Sequence, residues 1–224
     1  MQPLFTVLLV LVLAVSVVAF VAMGAAQRLR RRQLAEHARR LGLEFSGGDP
    51  LEIPLCYGDF VLMAAGHSPR AENVSYGRIG PCRLRVFDFS YEVGHGIRRS
   101  TRLYGTAVLQ IGDGLDSVLM WHEDDLPDAP LIVGQAGNVA GNWLYSGSGV
   151  SAGRLAEACA DLAKLGASMQ MWRDSLMIWA PARGRRRPYR RLLDVAGDLC
   201  DRLCPPDEQP DQPVDQPEII NEER

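Results

Sequence analysis

Cys82-Arg83-Leu84-Arg85-Val86-Phe87-Asp88-Phe89-Ser90-Tyr91 decides how this chain is read. It is rich in aromatic and β-branched residues, so it reads as a β-strand. Gly94-His95-Gly96 follows and can reverse the chain into a second strand from Ile97 to Ile111. Gly112-Asp113-Gly114 can turn it again into a third strand, Leu115 to His122. Three consecutive strands joined by short glycine-bearing turns predict an antiparallel β-meander.

Upstream the pattern is of another kind. The first 27 residues carry no charged side chain, and from Leu4 to Ala26 only Thr6, Ser16 and Gly24 interrupt Leu, Val, Ala, Phe and Met. At about 1.5 Å per residue such a helix reaches the roughly 30 Å of a bilayer's hydrocarbon core. Arg28, Arg30, Arg31, Arg32, Arg39 and Arg40 crowd its C-terminal flank. The positive-inside rule then puts the N-terminus outside and the body in the cytoplasm, as a single-pass protein of the inner membrane. The competing reading is a cleaved signal peptide, with Gly24-Ala25-Ala26 as the small-residue site. Against it stand the missing basic n-region and an apolar run much longer than signal peptides use. Residues 28–42 continue as a basic juxtamembrane helix, with Leu34, Ala38 and Leu41 at helical spacing and Gly42 as its stop.

Downstream the period returns to that of helices. Ser151 can cap a helix with an apolar stripe of Leu155, Ala158, Cys159, Leu162 and Leu165, ended by Gly166. Met169, Met171 and Trp172, then Leu176 to Ala180, read as a hairpin turning at Asp174-Ser175. Pro188 opens a last helix that buries Leu192, Ala196, Leu199 and Leu203 and exposes the i,i+4 pairs Arg190–Asp194 and Asp198–Arg202. From Pro205 onward the Glu-Gln-Pro and Asp-Gln-Pro near-repeats have little to bury, which predicts a disordered acidic tail. The expected architecture is α+β: a transmembrane anchor (1–27), the basic helix (28–42), a soluble domain (43–204) in which the meander precedes a helix–hairpin–helix unit, and the tail (205–224).

The stretches Asn73-Val74-Ser75-Tyr76-Gly77 and Val86-Phe87-Asp88-Phe89-Ser90-Tyr91, with the Gly-His-Gly turn, resemble a family of uncharacterised bacterial membrane proteins. That family has an N-terminal apolar span, an arginine-rich helix and an Asn-Val-x-x-Gly … Val-Phe-Asp-Tyr pattern. The resemblance implies the architecture over most of residues 30–204 and no activity. Phe89 stands where the family pattern has Tyr.

The net charge of −3 conceals three unlike segments. Residues 27–42 hold six Arg against Glu36, residues 43–204 hold seventeen basic and nineteen acidic groups, and residues 205–224 hold seven acidic groups against Arg224. A body so close to neutral argues against nucleic-acid binding, which needs a basic surface to displace counterions. Lys164 is the single lysine beside 23 arginines, the mark of a GC-rich genome and not of a function. Five cysteines, Cys56, Cys82, Cys159, Cys200 and Cys204, cannot all pair within one chain and suit a reducing compartment.

Candidate chemistry is sparse. Gly147-Ser148-Gly149-Val150-Ser151-Ala152-Gly153 has the glycines of a phosphate loop, and Asp174 lies 21 residues beyond the last of them. A dinucleotide fold needs buried parallel strands on either side, and here the flanking segments are short or alternating. His37, His67, His95 and His122 lie far apart in sequence. His122-Glu123-Asp124-Asp125 gathers oxygen and nitrogen ligands without the alternation or central glycine of a calcium loop. Cys200 and Cys204 sit one turn apart and lack further ligands nearby. No serine occupies a nucleophile elbow. Asp88, if it points inward, is a buried carboxylate of the kind active sites use, or else it pairs with Arg98, Arg99 or Arg102 on the next strand.

Arginines carry the remaining signal. Arg28, Arg30, Arg31 and Arg32, with Arg185, Arg186 and Arg187 of the basic stretch that also holds Arg183, Arg190 and Arg191, can rest on anionic headgroups. Each contributes about 1 kcal/mol near the surface. The reading is a membrane-tethered, non-enzymatic binding or scaffolding module. Its expected partners are the bilayer and another membrane or cytoplasmic protein, with no cofactor, no metal and no nucleic acid. The alternative is an enzyme or nucleotide-binding protein that uses the glycine loop or Asp88.

Overall fold

A computed structural model describes residues 2–112, 115–128, 137–139, 142–182 and 188–203. The turn at Asp113-Gly114, the arginines 183–187, Cys204 and the acidic tail lie outside the described residues.

The protein is α+β. Helix α1 (Gln2–Arg40) runs without a break from the apolar stretch into the arginines. Residues Leu9–Arg40 form a helix long and apolar enough to cross a membrane, and its most hydropathic window is not buried by the rest of the chain. Among the described residues nine strands build one sheet: β1 (Glu44–Ser46), β2 (His67–Ile79), β3 (Cys82–Val93), β4 (Ser100–Gln110), β5 (Val118–His122), β6 (Gly137–Val139), β7 (Trp143–Gly147), β8 (Ser168–Trp172) and β9 (Ser175–Pro181). Every pairing is antiparallel. The spatial order is β1-β2-β3-β4-β9-β8-β5-β7-β6. A short α2 (Ile53–Cys56) precedes β2, and α3 (Gly149–Ala158), α4 (Ala160–Ala163) and α5 (Tyr189–Leu203) complete the chain.

That order corrects the expected meander. The second and third predicted strands, now β4 and β5, are not neighbours, because the β8–β9 hairpin lies between them. The reason is burial. Leu176, Met177, Ile178, Trp179 and Ala180 are all buried, so both faces of β9 are covered. A run with no solvent face belongs in the middle of a sheet with partners on both edges. The hairpin is therefore part of the first sheet and does not stand apart with the helices.

Two further local readings are corrected. The helix expected from Ser151 to Gly166 breaks at Cys159 into α3 and α4, and its cap is Ser148, whose Oγ accepts the Ser151 amide at 3.3 Å. Asp194 of α5 reaches His37 of α1 at 2.6 Å, an inter-helix contact in place of the i,i+4 pair with Arg190. Arg202 meets Asp198 at its carbonyl, 3.3 Å from Nε, and also donates to the Ala158 carbonyl at 3.1 Å.

The sheet separates two cores. On one face Leu84, Val86, Ala107, Leu109 and Ile178 pack with Leu34 and Ala38 of α1, Leu155 of α3 and Leu192, Ala196 and Leu199 of α5. On the other, Phe87, Phe89, Tyr91, Tyr104, Trp121 and Trp179 pack under Ile53, Phe60 and Leu62. Tyr91 and Tyr104 stack at 5.8 Å and Trp121 meets Trp179 edge-on at 5.4 Å. Helix α5 lies close because Gly105 of β4 has no side chain: a Cβ there would stand 2.9 Å from Pro188 and 3.1 Å from the Tyr189 nitrogen.

Candidate functional site

Strand periodicity puts Leu84, Val86, Asp88 and Ser90 on the face that carries α1 and α5. Leu84 and Val86 are covered by that core, and Asp88 is the first polar group beyond it. Asp88 is 8% exposed. Arg30 of α1 comes down on it, its Nη2 donating to Oδ2 at 2.7 Å. Asn73 Nδ2 donates to the same oxygen at 2.7 Å.

Asn73 is delivered by a β-bulge. Glu72 pairs with Asp88 and Ser75 with Val86, so β2 spends one residue more than β3 over this interval. Bulges of this kind re-aim a side chain, and Asn tolerates the left-handed backbone that Asn73 adopts at φ 54°. The Asn73 amide donates to Gly47 O at 3.2 Å. Its Oδ1 is buried, with no hydrogen-bond partner among the described residues.

One turn deeper, Tyr189 of α5 donates to Ser75 Oγ at 2.7 Å and lies 3.2 Å from Val86 O. Burial pushes its phenol well above the ordinary value, the Ser75 hydrogen bond pulls it down, and the Asp88 charge pushes it up again. The charge of Asp88 is thus felt inside the α5 interface as well as at the surface.

Above these groups lies a cleft of about 470 Å³ lined by Ala26, Gln27, Arg30, Glu72, Asn73, Asp88, Phe89, Ser90 and Leu103. Its walls are the helix where the apolar stretch meets the arginines, the bulge, and the middle of β3 and β4. A second cleft of about 570 Å³ shares Glu72 and runs past Arg31, Asp49 and Arg70. The volumes suit a small polar ligand or an inserted side chain.

The arginines expected at headgroups divide into two kinds. Arg28 and Arg32 are exposed, whereas Arg30 is held by Asp88 and Arg31 stands 3.9 Å from Glu72. Asp88 points inward, the first of the two alternatives left open by the sequence, and the partner identified here is Arg30, which is 58 residues away and not Arg98, Arg99 or Arg102 of the next strand. No local spacing in the sequence signals that pair. The Asn73 motif was visible in sequence, but not its bulge.

The other candidates find structural duties. The 147–153 stretch enters α3 with Ser148 as cap, and Gly147 turns at φ 105° with a would-be Cβ only 2.5 Å from Ser117 O. Its flanking strand β7 is antiparallel to β5, and so is β8, which leaves none of the parallel frame that a dinucleotide site uses. Asp174 accepts from Gln110 at 2.5 Å, which holds its carboxyl below the usual range. His122 is buried, and its Nδ1 accepts the Asp124 amide at 3.2 Å. Among the described residues no group of three or more His, Cys, Asp or Glu is placed to hold a metal. His67 and His95, remote in sequence, come together with ring centres 5.2 Å apart.

No family model and no curated protein matches the chain. Among solved structures, the crystal structure of the mycobacterial trehalose monomycolate transport factor A, TtfA, is similar to it at 15% identity with a TM-score of 0.46, over 79% of this chain and 96% of that one.

Proposed function

We propose that this protein is a single-pass membrane protein whose α+β domain serves as a tethered binding or scaffolding module. One observation carries the reading. A single unbroken helix leaves its apolar residues between Leu9 and Met23 more than half exposed while burying Leu34 and Ala38 in the domain core. Water is a poor solvent for the first part and the domain does not cover it, so a bilayer is its fitting environment. The second part ties that helix to the sheet through the Arg30–Asp88 pair and the core. The domain is then held at a fixed place beside the membrane.

The arginine flank orients the domain toward the cytoplasm, in an inner membrane. The resemblance to uncharacterised bacterial membrane proteins fits this reading. The cleft at Arg30, Asn73 and Asp88 is the contact surface for a further membrane or cytoplasmic protein, with Glu72 and Arg31 at its rim. The experiment is a topology assay on the full chain. A reporter fused after Arg224 gives activity only for a cytoplasmic C-terminus, and the protein stays with the membrane through alkaline extraction. A periplasmic reporter signal refutes the orientation. Release of a shortened product into the soluble fraction refutes the anchor.

A further inference from the structure

The β3–β4 hairpin does not end at the cleft. Beyond Ser90 and Leu103 the two strands continue to Val93 and Ser100, joined by a tip of residues 94–99. Every residue of that tip is exposed, and Ile97 is exposed over its whole surface (104%). Arg98 and Arg99 follow it directly. A fully exposed isoleucine between glycines and arginines covers nothing within the chain.

The direction of the tip says what it meets. Arg30 lies against Asp88, while Ala26 and Gln27, one helical turn earlier, line the cleft together with Ser90 and Leu103. Moving along β3 toward the tip and along α1 toward its apolar end is therefore travel in the same direction. A strand rises about 3.3 Å per residue, which takes Val93 about 16 Å past Asp88. A helical turn rises only about 5.4 Å, so the tip lies beyond the level of Ala26 and Gln27, where the arginines give way to the apolar stretch. Leu103, 38% exposed, continues the apolar surface between the cleft and the tip.

We propose that residues 94–99 form a second membrane contact, in which Ile97 enters the interfacial layer of an anionic bilayer and Arg98 and Arg99 lie among its headgroups. This rests on the anchored reading of α1 and adds a lipid-facing element that is distant from the helix in sequence. Glu92 at the base is paired with Arg99, which limits its repulsion of an anionic surface. Isoleucine supplies apolar burial at the acyl boundary and arginine supplies charge attraction, the combination by which interfacial segments bind. Two contacts, helix and tip, fix the tilt of the sheet against the bilayer where a helix alone leaves it free to rock.

The test uses the full chain in vesicles, with Cys56 and Cys204 changed to serine and an environment-sensitive fluorophore placed through Ile97→Cys. Matching labels go to Val15→Cys in the span and Val150→Cys, an exposed site at the start of α3. In equimolar phosphatidylcholine and phosphatidylglycerol, the label at 97 shifts to the blue and is quenched by lipid-borne nitroxide, while the label at 150 stays water-like. Arg98→Glu with Arg99→Glu weakens the shift at 97. A water-like label at 97 beside a lipid-like label at 15 overturns the tip contact and leaves the anchor standing. Water-like labels at both overturn the anchor and this inference with it. A lipid-like label at 150 overturns the specific role of the tip.

Discussion

The two halves of α1 are one continuous helix with opposite choices of solvent. Between Leu9 and Met23 its apolar residues are 55% to 76% exposed on every side. From Arg30 to Arg40 Leu34 and Ala38, four residues apart, are buried against the sheet, with Arg30, Arg31 and His37 turned to carboxylates. The difference is one of pattern. An all-round apolar surface has no face to offer a small domain and needs a surrounding hydrocarbon phase, while a stripe at i and i+4 satisfies itself on one face of a sheet.

That contrast can be broken at either end. Placing Val12→Arg with Val15→Arg in the first half costs about 2.5–3.5 kcal/mol for each charge at the bilayer centre. The expected outcome is loss of the protein from the membrane fraction with the domain's circular-dichroism signal kept. Leu34→Ala in the second half reverses the symptoms. It removes buried apolar volume and costs roughly 2–4 kcal/mol of unfolding free energy, read as a lower thermal midpoint in detergent, with membrane retention unchanged.

Asp88→Ala sharpens the comparison at the junction. It strands the Arg30 guanidinium and the Asn73 amide together, at a cost of about 2 kcal/mol by the same thermal assay. It also removes the carboxylate charge that pushes the Tyr189 phenol upward, so the ultraviolet titration of that tyrosine moves to lower pH in the variant if it is reached before unfolding. The smallest effect lies at Asp174, in the turn before β9. Asp174 binds its proton less readily when folded, because Gln110 donates to it. Unfolded carboxylates take protons below about pH 4, so this contribution is present above that value and is lost as pH falls further through the lowered folded value. Gln110→Ala flattens that acid slope by no more than about 0.5 kcal/mol, since Asp174 is largely in solvent.

How far these features could be read beforehand depends on the range of the interaction that decides them. The apolar opening helix, the strand Cys82 to Tyr91 and the Leu192–Ala196–Leu199 face of α5 are matters of period within one segment, and they were legible. The break at Cys159 was not, because Ser148 and the packing of Leu155 and Leu162 determine where the turn falls. Nor was the Asn73 bulge, since it needs the register of β2 against β3. His67 and His95 meet because the register of β2 against β3 sets His67 opposite Glu92, three residues before His95.

By itself the sequence determined the opening helix with its uniformly apolar surface, the strand Cys82 to Tyr91 and the apolar face of the last helix, since each follows from side chains within a turn or two of one another. The tertiary structure alone decided that β8 and β9 sit between β4 and β5, that Arg30 answers Asp88, and that the β3–β4 tip points along α1 toward its apolar end. Those are pairings across 49 residues and more, or directions in space. They depend on which covered strand fills the middle of the sheet, and no local pattern of side chains encodes that choice.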